Sequence, residues 1–228
     1  MFRSLAVAML LICQCALAAP PQDITLVYRV TRNGQPFADV TENFRHEQGR
    51  YALESVTEGI GVYGLLGKRR LHSDGDIVAE GLRPDHFEQQ QGANAKKAVS
   101  ADFDWTNKRL NTSAKGQSAT APLESGTQDL ASFAYQFMFA PPKGEEVVMP
   151  VTTGKNQRIY RYRIAGRDIP VETTAGKFRT VHLVNDRDGD EGKELWLGVE
   201  AHYLPVRILM RDDKGAKIEQ VLTSLHVE

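Results

Sequence analysis

The chain has 228 residues, of which 28 are basic, 29 acidic, 19 glycine and ten proline. That composition excludes a collagen-like, coiled-coil or mostly disordered chain. Near-neutrality gives no support to nucleic-acid binding, which calls for a basic excess on one face. The length fits one domain, which at this size buries a full core without disulfide or metal staples.

Residues 1–18 read as a secretory signal peptide. Arg3 supplies the positive start, Leu5 to Ile12 is an apolar run, and Ala16-Leu17-Ala18 is a small-x-small cleavage site. The stretch from Leu5 to Leu17 is shorter than the about 20 residues that span a bilayer. No later segment is apolar for half that length, so no transmembrane segment is expected after cleavage. The expectation is a periplasmic protein that starts at Ala19. Cleavage removes one cation, Arg3, which leaves 27 basic residues against 29 acidic, and it removes both cysteines, Cys13 and Cys15. Ile12 and Gln14 precede those cysteines, where a lipid-modified cysteine needs a small neighbour. A mature chain without thiols has no disulfide, no Cys-bound zinc and no Cys nucleophile.

From there the chain alternates apolar and polar residues with period two, the pattern of half-buried strands. Ile24, Leu26, Tyr28 and Val30 share one face, and Asn33-Gly34 is a hairpin turn. Ala38, Val40 and Phe44 continue, and Gly49 turns into Tyr51, Leu53 and Ser55. Residues 59–67 hold four glycines among Ile60, Val62, Tyr63, Leu65 and Leu66. They read as an apolar loop or a single loose turn, too rich in glycine for a stable helix. Strands resume at 68–73, turn at Asp74-Gly75, and continue through 77–79 and 87–91. Phe103 and Trp105 alternate with Asp102 and Asp104 in the clearest strand, whereas residues 111–121 read as a weak edge strand or a loop.

One segment changes period. Leu130, Phe133, Ala134, Phe137 and Met138 fall on one helical face, with Thr127 as N-cap, Asp129 at the positive end of the dipole, and Pro141-Pro142 as the stop. Strands then return around Val147–Val151, Tyr160–Ile164, Ile169–Thr173, Phe178–Val184, Glu194–Val199, Tyr203–Met210 and Ala216–Val227. The fold expected for residues 19–228 is all-β: about ten antiparallel strands in a strongly curled sheet or barrel, with one short amphipathic helix. A curled sheet with a helix at its mouth encloses an apolar pocket.

The run Thr174-Ala175-Gly176-Lys177-Phe178, then Glu194-Leu195-Trp196-Leu197, then Tyr203-Leu204-Pro205-Val206-Arg207-Ile208, resembles a bacterial exported family, the domain of unknown function numbered 3108. Gly126-Thr127-Gln128-Asp129 and Tyr160-Arg161-Tyr162 are similar to it as well. The resemblance covers nearly all of the mature chain and brings no activity and no assigned catalytic residues. The deduced architecture also looks like that of periplasmic lipoprotein carriers, whose curled sheet holds acyl chains. That likeness concerns fold, not function.

Chemical motifs are few. Asp186, Asp188 and Asp190 take the spacing of a calcium loop, but Glu191 and Leu197 stand where that loop needs Gly and Glu, so a solvated hairpin loop is the preferred reading. The six histidines include no helical zinc pair, and His182 reads as a half-buried strand residue. Ser73 lies between His72 and Asp74, yet strand neighbours point to opposite faces, so these three do not form a triad. Arg158, Arg161, Arg163 and Arg167 form a basic cluster, read as an outer sheet face balanced by acidic neighbours. No cofactor motif and no nucleophile–base set is legible, and an enzyme is not expected.

The remaining signal is apolar. Val62, Tyr63, Leu65 and Leu66 of the glycine-flanked loop, the helix residues Leu130, Phe133, Phe137 and Met138, and the aromatic residues Trp105, Tyr160 and Trp196 are the residues expected to line or cover a pocket. The function read from this pattern is non-catalytic binding of a lipid-like or other apolar ligand. The alternative is an envelope structural or protein-interaction module that works through its outer surface.

Overall fold

The computed structural model describes residues 20–92, 98–185, 192–211 and 214–228. The residues read as a signal peptide, 1–18, and the acidic run 186–191 lie outside them. The alternating stretches form strands in chain order: β1 (Asp23–Arg32), β2 (Gln35–Glu47), β3 (Arg50–Gly59), β4 (Arg69–Val78), β5 (Gly81–Gln91), β6 (Val99–Asp104), β7 (Arg109–Ala114) and β8 (Gln117–Pro122). A two-residue strand β9 (Gln128–Asp129) precedes the helix α1 (Ser132–Phe139). The second half comprises β10 (Glu146–Thr152), β11 (Gln157–Thr173), β12 (Gly176–Asn185), β13 (Lys193–Gly198), β14 (Leu204–Arg211) and β15 (Lys217–Val227).

All the strands join one sheet, in the order β8-β7-β6-β5-β4-β3-β2-β1-β15-β14-β13-β12-β11-β10-β9. The pairings are antiparallel except β9 with β10, which is parallel. The expected count of about ten strands is therefore corrected to 15, and closure into a barrel is not observed, because the edge strands β8 and β9 do not pair with each other. Residues 111–121 lack an apolar face because β8 is exposed at every position, yet its backbone pairs fully with β7. Asp74-Gly75 is not a turn. It lies inside β4 at a bulge opposite Pro84 and His86, where a Cβ on residue 75 would run into the Arg83 carbonyl. Asn33-Gly34 does turn between β1 and β2, both residues having positive φ, and the Asn33 Oδ1 also accepts a hydrogen bond from the Lys217 amide at 2.9 Å.

The sheet rolls so that its two ends approach each other. Gly154, between β10 and β11, sits against Phe87 of β5 and Val99 of β6, where an added Cβ would come within 3.3 Å of each. The Gln128 Nε2 donates to the Leu82 carbonyl at 2.7 Å. The helix runs through the resulting concavity and joins two apolar clusters. Tyr135 and Met138 pack with Phe44, Tyr51 and Leu53 of the first half. Phe133, Ala134 and Phe137 pack with Val151, Leu183 and Leu195 of the second. The helix is thus buried on most of its sides, not amphipathic with one wet face as expected. Besides it, Gly61–Leu66, expected as a loop or a single loose turn, forms a short 3-10 helix of six residues.

The helix cap also differs from expectation. The Thr127 hydroxyl donates to the Glu124 carbonyl at 2.7 Å and caps nothing. Asp129 does the capping: its Oδ1 accepts from the amides of Ala131 and Ser132 at 2.8 Å each, and the Ser132 hydroxyl accepts from the Asp129 amide at 2.9 Å. This reciprocal arrangement satisfies amides that the first helical turn leaves without partners.

Candidate functional site

Beside the helix, the rolled sheet leaves a cavity of about 430 Å³, within the range usual for small-molecule sites, ~300–1,000 Å³. Its floor consists of buried aromatic residues: Tyr28 from β1, Phe133 and Tyr135 from α1, and Tyr162 from β11. Apolar walls come from Leu71 of β4 and Ile208 of β14. Three cations also line it, Arg69, Arg158 and Lys193, and each keeps contact with solvent. These side chains therefore mark its mouth.

Strand register explains how residues distant in sequence meet here. On the near side, Tyr28 pairs with Val40, Val40 with Thr57, and Thr57 with Arg69. Directly paired residues point to the same face, so these side chains form one inward row across four strands. On the far side Asn185 pairs with Lys193, and Arg163 with Val184, which places Tyr162 beside Asn185. Arg158, Tyr160 and Tyr162 follow one another at two-residue spacing on β11 and share its inner face.

Among the described residues Glu42 is the one carboxylate in the lining. Its Oε2 accepts from the Tyr135 hydroxyl at 3.0 Å and its Oε1 from Ser55 at 3.2 Å. Burial pushes its pKa up, against the opposing effect of those two hydrogen bonds. Arg69 donates to the Gln89 Oε1 at 2.7 Å, and burial lowers its pKa. Lys193 lies over the Phe133 ring, 4.7 Å from its centroid. The Tyr162 hydroxyl and the Asn185 Oδ1, both in the lining, have no hydrogen-bond partner, although Tyr162 is 1% and Asn185 9% exposed.

The residues expected to form a pocket are divided among several places. Leu130, Phe133 and Tyr160 line this cavity, and Phe133 meets Tyr160 edge-on at 6.1 Å. Phe137 is sealed in the second apolar cluster. Met138 lines a different depression of about 520 Å³, at the C-terminal end of the helix with Phe139 and Tyr203. Trp105 stacks on Phe103 at 5.9 Å, and its indole N–H donates to the Pro84 carbonyl at 2.7 Å. Trp196 points away from Leu195 and Leu197, which pack on the helix side, and lies between the His182 ring (4.2 Å) and the Arg207 guanidinium (4.5 Å). Val62, Leu65 and Leu66 stand at the surface, 75%, 90% and 64% exposed, while the Tyr63 ring packs 4.6 Å from Phe37. Their turn ends three residues before Arg69.

Most of the other sequence constellations have structural partners, but Arg158, expected on the outer sheet face with Arg161, Arg163 and Arg167, lines the cavity instead, because it shares the inner face of β11 with Tyr160 and Tyr162. Ser73 donates to the Asp129 Oδ2 at 2.7 Å and meets the Tyr51 hydroxyl at 3.0 Å, while the His72 Nε2 lies 3.2 Å from Asp74 on the opposite face. The His182 Nε2 lies 2.8 Å from Glu194. Arg161 faces Glu146 at 3.9 Å, and Arg167 donates to the Gly144 carbonyl at 2.9 Å. The calcium-like spacing at 186–191 falls outside the described residues. No group of three or more metal-ligating side chains occurs among the described residues, and none of their helices is long and apolar enough to cross a membrane.

The model of the protein family of unknown function DUF3108 matches residues 27–223. The chain belongs to that family. A solved domain described as an outer membrane lipoprotein-sorting protein, from Vibrio parahaemolyticus, is similar over 91% of this chain and 86% of its own length, at 10% identity and a TM-score of 0.27. That score is too low to carry fold detail or function across. No curated protein matches the sequence.

Proposed function

We propose that this DUF3108 protein is an exported, periplasmic binding protein that holds a lipid-like ligand without transforming it. The observation that carries the reading is the cavity of about 430 Å³ beside α1, floored by Tyr28, Phe133, Tyr135 and Tyr162. Aromatic and aliphatic walls favour an apolar chain, because removing such a surface from water is worth about 25 cal/mol per Å². The helix, buried on most sides, acts as a fixed wall of the site and not as a lid.

A second reading is favoured by the exposure of Val62, Leu65 and Leu66, since adjacent large apolar side chains at the surface mark interaction sites. On that reading the protein is an envelope interaction module. One titration separates the two. The mature protein should bind a fluorescent fatty-acid analogue saturably, and an unlabelled fatty acid should displace it. A probe that shows no saturable signal would leave the outer-surface module in front.

A further inference from the structure

The cavity holds more polar chemistry than a purely apolar ligand would use. Tyr162, Asn185 and Lys193 stand side by side on β11, β12 and β13, all in the lining. The Tyr162 hydroxyl and the Asn185 Oδ1 are buried without partners, which is costly unless something bound supplies them. Burial raises the Tyr162 pKa, so the phenol stays protonated and available as a donor. The oxygen and nitrogen of an Asn amide exchange by a half-turn, so Asn185 can present a donor to the same point. Lys193 and Arg158 add positive charge on this side of the cavity. Glu42, the only carboxylate of the lining among the described residues, has both oxygens engaged by Tyr135 and Ser55.

We infer that the ligand is an anionic amphiphile whose carboxylate or phosphate oxygens bind the Tyr162–Asn185–Lys193 row, with its apolar chain along Phe133, Leu71 and Ile208. Charge-assisted hydrogen bonds to an oxyanion are about twice as strong as neutral ones, so the row selects the head while the aromatic floor accepts the chain. This inference rests on the carrier reading above and specifies the ligand's head group.

The test compares four ligands with one twelve-carbon chain, titrated by calorimetry into the mature protein below their micellar concentrations: dodecanoate, dodecyl phosphate, dodecanol and dodecyltrimethylammonium. Either or both anions should bind at least tenfold more tightly than the alcohol or the cation, and which anion leads distinguishes a fatty acid from a phosphate-headed lipid. Tyr162→Phe should weaken the preferred anion about tenfold, leave dodecanol unchanged, and leave the ligand-free melting temperature equal or higher, since it deletes an unpaired buried hydroxyl. Lys193→Met should narrow the gap between anion and alcohol while the fold, read by circular dichroism, is retained. Equal affinity for all four heads, or an unchanged anion affinity in Tyr162→Phe, overturns the head-group assignment and leaves the carrier reading standing. Absence of binding by all four overturns both.

Discussion

Asp129 shows how much one buried side chain does in this fold. It caps α1, accepts from Ser73, and through Ser73 reaches Tyr51 on β3. Burial pushes its pKa from the usual 3.8 up to about 6, against the lowering effect of its hydrogen bonds. The folded protein therefore holds a proton that the unfolded chain releases. This contribution to stability is complete below about pH 3.8 and is lost as the pH rises to about 6, a change of about 3 kcal/mol for two pKa units. Urea melts of residues 19–228 between pH 4 and 6.5 should show the decline, and Asp129→Asn, which keeps the capping oxygen, should flatten it. Burial raises the Glu42 pKa in the same direction, so a shallow slope should survive in the variant. An equally steep decline in Asp129→Asn would contradict the assignment. The sequence placed Asp129 correctly at the start of the helix but gave the cap to Thr127, because local spacing does not say which hydroxyl turns back to a carbonyl. Glu42 and Arg69 were legible in principle. Each interrupts an inward row, Ala38-Val40-Glu42-Phe44 and Arg69-Leu71-Ser73, where strict alternation asks for an apolar residue.

At the scale of elements, the period change at residues 130–138 marked the helix, and its i, i+3, i+4 apolar positions marked the side facing the second cluster. Ser132 and Tyr135, on the other side, looked polar in sequence but are buried, since Ser132 completes the cap and the Tyr135 hydroxyl reaches Glu42. The helix therefore occupies the concavity only in part, beside the cavity, and Phe133 and Phe137 should respond differently to truncation. Phe137, sealed among Val151, Leu183 and Leu195, should cost about 3–5 kcal/mol as Phe137→Ala. Phe133 borders the existing cavity, so Phe133→Ala should cost less and should enlarge the space open to a fatty-acid probe. Urea denaturation and probe titration of the two variants check this. Equal losses of stability, with probe uptake unaltered in Phe133→Ala, would argue against a cavity wall at Phe133. The strand count was underestimated in part because β8 and β9 are set by backbone pairing, and neither carries an apolar alternation to read.

At the scale of the molecule, the antiparallel sheet and its curl followed from hairpin spacing and a single helix, but the cavity did not. Its lining comes from nine strands, the β10–β11 turn, the β9–α1 link and α1, brought together by register and by the packing of Gly154 against Phe87 and Val99. No local pattern encodes that meeting, and so Trp105 and Trp196, plausible as pocket aromatics, are committed elsewhere to Pro84, His182 and Arg207. β1 and β15 pair at the centre of the sheet order, and the helix bridges both apolar clusters, so occupancy of the cavity bears on the two halves together. The most direct measurement of the central claim is native mass spectrometry of the protein extracted without detergent from the cells that make it, alongside Ile208→Trp, which projects an indole into the cavity from β14. The wild type should carry a one-to-one small-molecule adduct that Ile208→Trp, still folded by circular dichroism, has lost. A wild type with no adduct, or an adduct equally abundant in the folded variant, would contradict a ligand in this cavity.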